Sequence, residues 1–193
     1  MAAALLETIR IEEGKAKNLP YHQARFDRSR KALFNTTSPL ALLKHIDPPQ
    51  NGLYRCRILY TDTIESVEYL LYTPKTINTL KVVTDNTLEY CYKYADRTPL
   101  NTLLSAHPNA DEIIIEQNGL LTDTTIANIA FYNGSTWLTP ATPLLEGTMR
   151  AHLLDKGMLQ TADIRKSDLH RYTHVALMNA MIGFKILKEV TII

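Results

Sequence analysis

The chain has 193 residues, 45% hydrophobic and 21% charged, and its 21 Lys and Arg against 20 Asp and Glu leave a formal net charge of +1. That balance argues against long intrinsic disorder and against any strong overall field that would draw in nucleic acid or an anionic membrane. No run approaches the roughly 20 apolar residues of a membrane span, the opening MAAALLETIR lacks the basic region of a signal peptide, and Cys56 and Cys91 stand in no metal spacing, so a reducing cytoplasm is the expected compartment.

The first predicted element is a strand, Leu5 to Ile11, followed by a turn at Glu12-Glu13-Gly14-Lys15. Tyr21 to Phe34 reads as a helix behind Pro20, with Ala24, Ala32 and Leu33 at helical spacing and an exposed basic face of Arg25, Arg28, Arg30 and Lys31. A short helix over Leu40 to His45 ends before Asp47-Pro48-Pro49. Gly52 to Tyr60 and Ser66 to Tyr72 alternate as paired strands. Thr73-Pro74-Lys75-Thr76 is short, polar and proline-bearing, and marks a lobe boundary. Beyond it lie a strand at Thr79 to Thr84, a short helix at Leu100 to Ala106, and the apolar strand Glu112 to Gln117, which turns through Asn118-Gly119 into Leu120 to Thr122. Ile126 to Tyr132 and Thr136 to Leu138 form a second hairpin, Leu144 to Lys156 is a helix closed by Gly157, and Ser167-Asp168 caps a short turn. His174 to Asn179 and Lys185 to Ile193 are the last strands. Hairpins with interspersed helices predict an α+β (mixed α/β) fold in two lobes: a small one over 1–74 and a larger one over 75–193.

The stretch Asp111-Glu112-Ile113-Ile114-Ile115-Glu116-Gln117-Asn118-Gly119-Leu120-Leu121-Thr122-Asp123-Thr124-Thr125-Ile126-Ala127-Asn128-Ile129 joins an acid-led apolar strand to an Asn-Gly turn, a Thr-Asp pair and an Asn. Thr139-Pro140 and then Leu144-Leu145-Glu146-Gly147-Thr148-Met149-Arg150 follow. Earlier come Glu7-Thr8-Ile9-Arg10 and His22-Gln23-Ala24-Arg25-Phe26, and later Asn179-Ala180-Met181-Ile182-Gly183. This ordered set, from about Leu6 to Phe184, resembles the class IV family of pyridoxal-phosphate enzymes. The family includes branched-chain and D-amino-acid aminotransferases and 4-amino-4-deoxychorismate lyases. The resemblance implies the two-lobed fold type IV architecture of the D-amino-acid aminotransferases, a homodimer, and a cofactor near the lobe interface. The family's leading hairpin and glycine-bearing loop have no counterpart ahead of Glu7, where the chain reads only Met1-Ala2-Ala3-Ala4-Leu5 before Leu6, so the smaller lobe is expected to be trimmed.

Such chemistry needs a lysine to hold the cofactor, an acid facing the pyridine nitrogen, a phosphate cup and a place for the substrate carboxylate. The resemblance places the Schiff-base lysine at Lys93, in the larger lobe, with Lys75 and Lys81 as fallbacks. Tyr92 and Tyr94 flank Lys93, and an aromatic setting lowers an amine's pKa by desolvation. Asp123 takes the position facing the ring nitrogen, where the family usually has Glu, so the ring must sit closer or a water must bridge. By residue type alone, Thr122-Asp123-Thr124 equally suits an Asx turn. The phosphate cup is assigned to Arg25, Gly147, Thr148 and Met149, with Asn179 and Ala180 as a second phosphate-side loop. Arg25 also reads as one more charge on a basic helix face. Arg55 and Arg57 share one face of a strand, and either could meet a substrate carboxylate or stand as a surface arginine. Arg97 is a weaker candidate, for a substrate or a neighbouring subunit. The histidines, His22 among them, show no ligand spacing, and no metal is expected.

What the resemblance implies about activity is a lyase that converts 4-amino-4-deoxychorismate to 4-aminobenzoate and pyruvate, in folate biosynthesis. The segment at Asn179-Ala180-Met181-Ile182-Gly183 favours this over the first alternative, an aminotransferase for branched-chain or D-amino acids. The second alternative is a catalytically degenerate cofactor-binding relative. The expected partner is a small amino substrate, with neither nucleic acid nor membrane.

Overall fold

The computed structural model describes residues 3–193, so Met1 and Ala2 of the leading segment lie outside it. Among the described residues it holds thirteen strands, three α-helices and two short 3-10 turns, in two compact units. Among the described residues one unit takes 3–74 together with 92–96, and the other takes 75–91 and 97–193. The chain changes unit at Pro74–Lys75. It also returns Tyr92–Asp96, with Lys93, to the first unit, so Lys93 is not part of the larger one.

The first unit begins with β1 (Leu5–Glu12), β2 (Lys15–Ala16), α1 (Leu19–Phe34), a 3-10 turn (Leu42–His45), β3 (Leu53–Tyr60) and β4 (Ile64–Leu71). Its four strands pair antiparallel in the order β2-β1-β3-β4. Glu13 and Gly14 both have positive φ, 50° and 70°, which is the two-residue turn that matches strand twist in a tight hairpin. Alternation along β1 sends Leu5, Glu7, Ile9 and Ile11 into a core shared with Cys56, Ile58, Tyr60 and Phe26 of α1. The buried face of α1 is polar rather than apolar: His22, Arg25, Phe26, Ser29 and Arg30 are buried, while Ala24, Ala32 and Leu33 are exposed. Of the expected basic face, Arg28 and Lys31 remain on the surface. Arg30 can bury because its Nε donates to the Asp62 carbonyl at 2.8 Å, its Nη1 to the Ser38 carbonyl at 3.0 Å, and its Cζ lies 5.1 Å from the centre of the Phe26 ring.

The second unit runs β5 (Thr79–Thr84), α2 (Thr98–Ser105), β6 (Glu112–Gln117), β7 (Leu120–Thr124), β8 (Asn128–Tyr132), β9 (Trp137–Pro140), α3 (Thr148–Asp155), β10 (Gln160–Ala162), a 3-10 turn (Lys166–Arg171), β11 (His174–Asn179), β12 (Gly183–Leu187) and β13 (Thr191–Ile192). The nine strands order as β10-β9-β8-β7-β6-β5-β13, with β11 and β12 joined through β8. β5 lies parallel to β6, and β6 through β9 run antiparallel, so the sheet is mixed. Its core gathers Leu80, Ile114, Leu121, Ile129, Phe131, Ile164 and Leu177.

Three expectations change here. The helix expected from Leu144 starts only at Thr148, because the Leu145 amide and carbonyl are claimed by the Asp123 and Asn128 side chains, as described below. The last predicted strand is two: β12 pairs antiparallel with β11, and β13 pairs parallel with β5. β10, three residues paired parallel with β9, was not expected at all.

Candidate active site

In the second unit the site is organised by Asp123. β6 and β7 slip register by one residue between Ile114–Thr124 and Glu116–Leu121, so Thr122 and Asp123 together oppose Ile115. Such a bulge re-aims side chains, and here it leaves both residues buried, Asp123 at 3% exposure. Asp123 is also the cross-strand partner of Asn128, across a turn closed by the Thr124 amide donating to the Ala127 carbonyl at 2.9 Å. The Asn128 Nδ2 donates to Asp123 Oδ1 at 2.7 Å and to the Leu145 carbonyl at 2.8 Å. The Leu145 amide donates to Asp123 Oδ2 at 2.8 Å. The loop 144–147 is thus tied to the acid and cannot wind into the helix that follows it. Burial pushes the Asp123 carboxyl up to about 7, against the lowering effect of these two donors and the charge of Arg150.

Gly147 is the N-cap residue of α3, and no side chain caps that helix end. A Cβ at Gly147 would lie 1.9 Å from Asn128 Oδ1, so only glycine lets the loop approach this closely. The Ala151 amide is the first in α3 to bond back, to the Gly147 carbonyl at 2.9 Å. The N-terminal turn of α3, which carries Thr148 and Met149, turns backbone amides and the positive end of the helix dipole outward and suits an anion. Thr148 is buried and Met149 is half-buried. Asn179 spends its side chain locally: Oδ1 accepts from the Met181 and Ile182 amides at 2.9 and 3.0 Å, and Nδ2 donates to the Ile126 carbonyl at 3.0 Å. It thereby ties the β11–β12 loop that carries Ala180 to the turn after Asp123. Arg97 Nη2 donates to the Thr125 carbonyl in that same turn, at 2.8 Å.

In the first unit, Lys93 sits at the centre of a three-residue turn, since the Tyr94 amide donates to the Tyr92 carbonyl at 2.9 Å. Backbone pairing anchors this turn to β1: the Leu6 amide donates to the Lys93 carbonyl and the Ala95 amide to the Ala4 carbonyl, each at 2.9 Å. Tyr92 and Tyr94 pack edge to face, 6.1 Å between centres, against the core of the unit. Lys93 itself is half-buried. Lys75 instead donates to the Asp111 carbonyl, and Lys81 lies on β5.

Arg25 is buried, and its Nε and Nη2 hold Glu7 Oε1 and Oε2 at 2.8 and 2.6 Å. His22 Nδ1 meets Glu7 Oε2 at 2.6 Å, both side chains fully buried. Burial pushes the Glu7 carboxyl up, but the Arg25 charge and the bonds from Arg25 and His22 outweigh it and hold Glu7 at about 2. Burial pushes the His22 imidazole down, so a neutral ring with Nδ1–H donates to the ionised carboxylate. The charge on Lys93 adds a small downward push on the His22 imidazole.

Four residues stand in the sequence motifs without a role assigned to them: Glu7, Glu112, Asn128 and Arg150. Glu112 is fully buried, and its Oε1 accepts from Thr125 Oγ1 at 2.7 Å and from the Thr125 amide at 3.2 Å, pinning the turn after Asp123. Arg150 is buried and donates to the Pro140 carbonyl at 2.8 Å. Glu7 and Asn128 carried a usable signal, being acids and amides inside otherwise apolar strands, where an unpaired polar group is costly.

Comparison with known proteins shows the family and the fold. Residues 4–190 match the family described as amino-transferase class IV. An uncharacterised protein of Haemophilus influenzae is 38% identical over 184 residues, 93% of this chain and 98% of its own length. A crystal structure of a candidate 4-amino-4-deoxychorismate lyase from Haemophilus somnus superposes with a TM-score of 0.87 at 38% identity, covering 94% of this chain and 97% of that one. A candidate amino-acid aminotransferase from Mesorhizobium loti shares the fold, with a TM-score of 0.77 at 20% identity over 98% of this chain and 99% of that one. The chain belongs to the class IV aminotransferases, a family of pyridoxal-phosphate-dependent enzymes.

Proposed function

We propose that this protein is a cytoplasmic, homodimeric lyase that binds pyridoxal 5′-phosphate and converts 4-amino-4-deoxychorismate to 4-aminobenzoate and pyruvate, a step of folate synthesis. The observation that carries the choice of reaction is the 38% identity, over almost the whole chain, to a protein described as a candidate for that lyase. The residues present suit the cofactor. The uncapped N-terminus of α3 behind Gly147 offers amides to a phosphate. Asp123 is a buried acid bonded by Asn128 and by the Leu145 and Leu144 amides, and its four lone pairs leave room to accept from a protonated ring nitrogen. When bound, the cofactor supplies an electron sink for a carbanion adjacent to the substrate nitrogen.

The chain's own residues divide the remaining work. Lys93 Nζ would hold the cofactor; once the substrate's amine has displaced it, the freed lysine amine would take the proton from the ring carbon that bears the substrate nitrogen and pass it to the departing enol group, which leaves as pyruvate. Asp123, once partnered, stays ionised and keeps the ring nitrogen protonated. Arg25, with Nε and Nη2 fixed by Glu7, adds its charge to the phosphate side. Thr148 and Met149 contribute their amides, and Asn179 holds the Ala180 loop in place.

The test is a visible spectrum of the protein incubated with pyridoxal phosphate, followed by assays for pyruvate release and for keto-acid amination. A cofactor band fixed by borohydride at Lys93, with pyruvate release reduced at least about a thousandfold in Lys93→Ala, is expected. Amination without pyruvate release would replace the lyase with an aminotransferase for branched-chain or D-amino acids. A protein left colourless would sink the cofactor itself and leave a degenerate relative.

A further inference from the structure

The face of the first unit's sheet opposite to its core carries three arginines. Alternation puts Thr8 and Arg10 of β1 on that face, and the register sets Arg10 across from Arg55 and Thr8 across from Arg57. Their counter-ions are unevenly shared. Arg10 Nη2 pairs with Glu12 at 2.8 Å, and Arg57 Nη1 pairs with Glu68, its cross-strand neighbour, at 3.1 Å. Arg55 faces Leu70 on β4. Among the described residues it has no hydrogen bond or ion pair, and its Nε is sealed from solvent without an acceptor. A half-buried guanidinium in that condition, set against a second arginine, lacks an anion: unpaired buried donors are rare, and like charges across a strand pair repel. Tyr72, just past β4, donates its amide to the Leu53 carbonyl at 3.2 Å, and alternation from Leu70 puts it on the face that carries Arg55; burial pushes its hydroxyl pKa up, against the charges of Arg55 and Arg10. A planar fork beside a phenol matches a carboxylate.

We propose that Arg55, with Arg10 across the strand pair and Tyr72 beside it, is a carboxylate-binding subsite whose ligand is a small organic acid. The choice falls on Arg55 and not on Arg57, which already has Glu68. The proposal rests on the functional reading above for one point, that this acid is the substrate.

The test begins with calorimetric titration of the cofactor-loaded protein with benzoate and with benzamide, a neutral analogue of the same shape. Benzoate is expected to bind the unaltered protein better than benzamide. Arg55→Met should weaken benzoate at least about tenfold, Arg55→Lys should restore part of the loss, and Arg57→Met should stay within about twofold. Equal affinity for the two probes, or an Arg55→Met protein that binds benzoate unchanged, overturns the proposal. So does a change in oligomeric state on Arg55→Met in a protein blind to benzoate, since Arg55 would then meet an acid of a second copy. If pyruvate is released, Arg55→Met should raise KM about tenfold or more with kcat within about threefold. Benzoate binding without pyruvate release sinks the lyase reading and leaves the subsite standing.

Discussion

At the scale of single residues, Asp123 carries the sharpest expectation. Its carboxyl sits near 7 in the folded protein against 3.8 when unfolded, raised by burial. A folded-state pKa above the unfolded one means a stability contribution that is full below about pH 4 and lost as the pH rises through 7. In cofactor-free protein, the stability of the natural chain relative to Asp123→Asn should therefore fall by up to about 4 kcal/mol between those limits. Urea titrations across that range read it directly, and parallel curves for the two proteins would refute it. With cofactor bound, the fall should shrink, because a protonated ring nitrogen favours the ionised acid. Asn128→Ala removes the donor that holds both Asp123 and the Leu145 carbonyl, and should cost about 1–3 kcal/mol in the same assay. The position of Asp123 in the family pattern is legible in the sequence. Its bulge is not, since a one-residue slip leaves no mark on the pattern of apolar residues.

Between elements, the two tightest joints are polar. Glu7 fastens β1 to α1 through His22 and Arg25. Glu7→Gln would leave Arg25 buried without its counter-charge, at a cost of about 3–5 kcal/mol by denaturation at neutral pH. Both Glu7 and His22 have folded-state pKa values below their ordinary ones. Each thus gives stability that is present at neutral pH and lost on acidification, from about pH 6.5 for the imidazole and from about 4.5 for the carboxyl. The acid limb of a pH–stability profile should be flatter in Glu7→Gln, and an unchanged limb would count against the triad. At the other joint, Gly147→Ala would drive a methyl into Asn128 Oδ1. The expected result is a loss of about 1–3 kcal/mol and weaker cofactor binding, seen as a higher concentration needed to saturate the visible band.

Most strands could be located from alternation and turn signals, and β5, β6 and β11 fall where the residues predict. The errors share a cause, which is that partners distant in sequence decide the outcome. Leu144-Leu145-Glu146 looks helical until the Asp123 carboxylate claims the Leu145 amide. The stretch from Lys185 looks like one strand until its two halves choose different neighbours, β11 and β5. Arg25 and Arg30 look like surface charge until acceptors appear for them inside.

Across the molecule, the backbone passes from one compact unit to the other three times, at Pro74, at Cys91 and at Asp96. The middle excursion delivers five residues, Lys93 among them, to an edge already built by β1. A chimera spliced after Pro74 would clothe one parent's β1 with the other parent's lysine turn. A second splice, moving 92–96 together with 1–74, should restore cofactor loading where the single splice lowers it. Heredity, on this view, cannot trade the two halves as independent cassettes, because the amine is encoded within one of them and housed by the other.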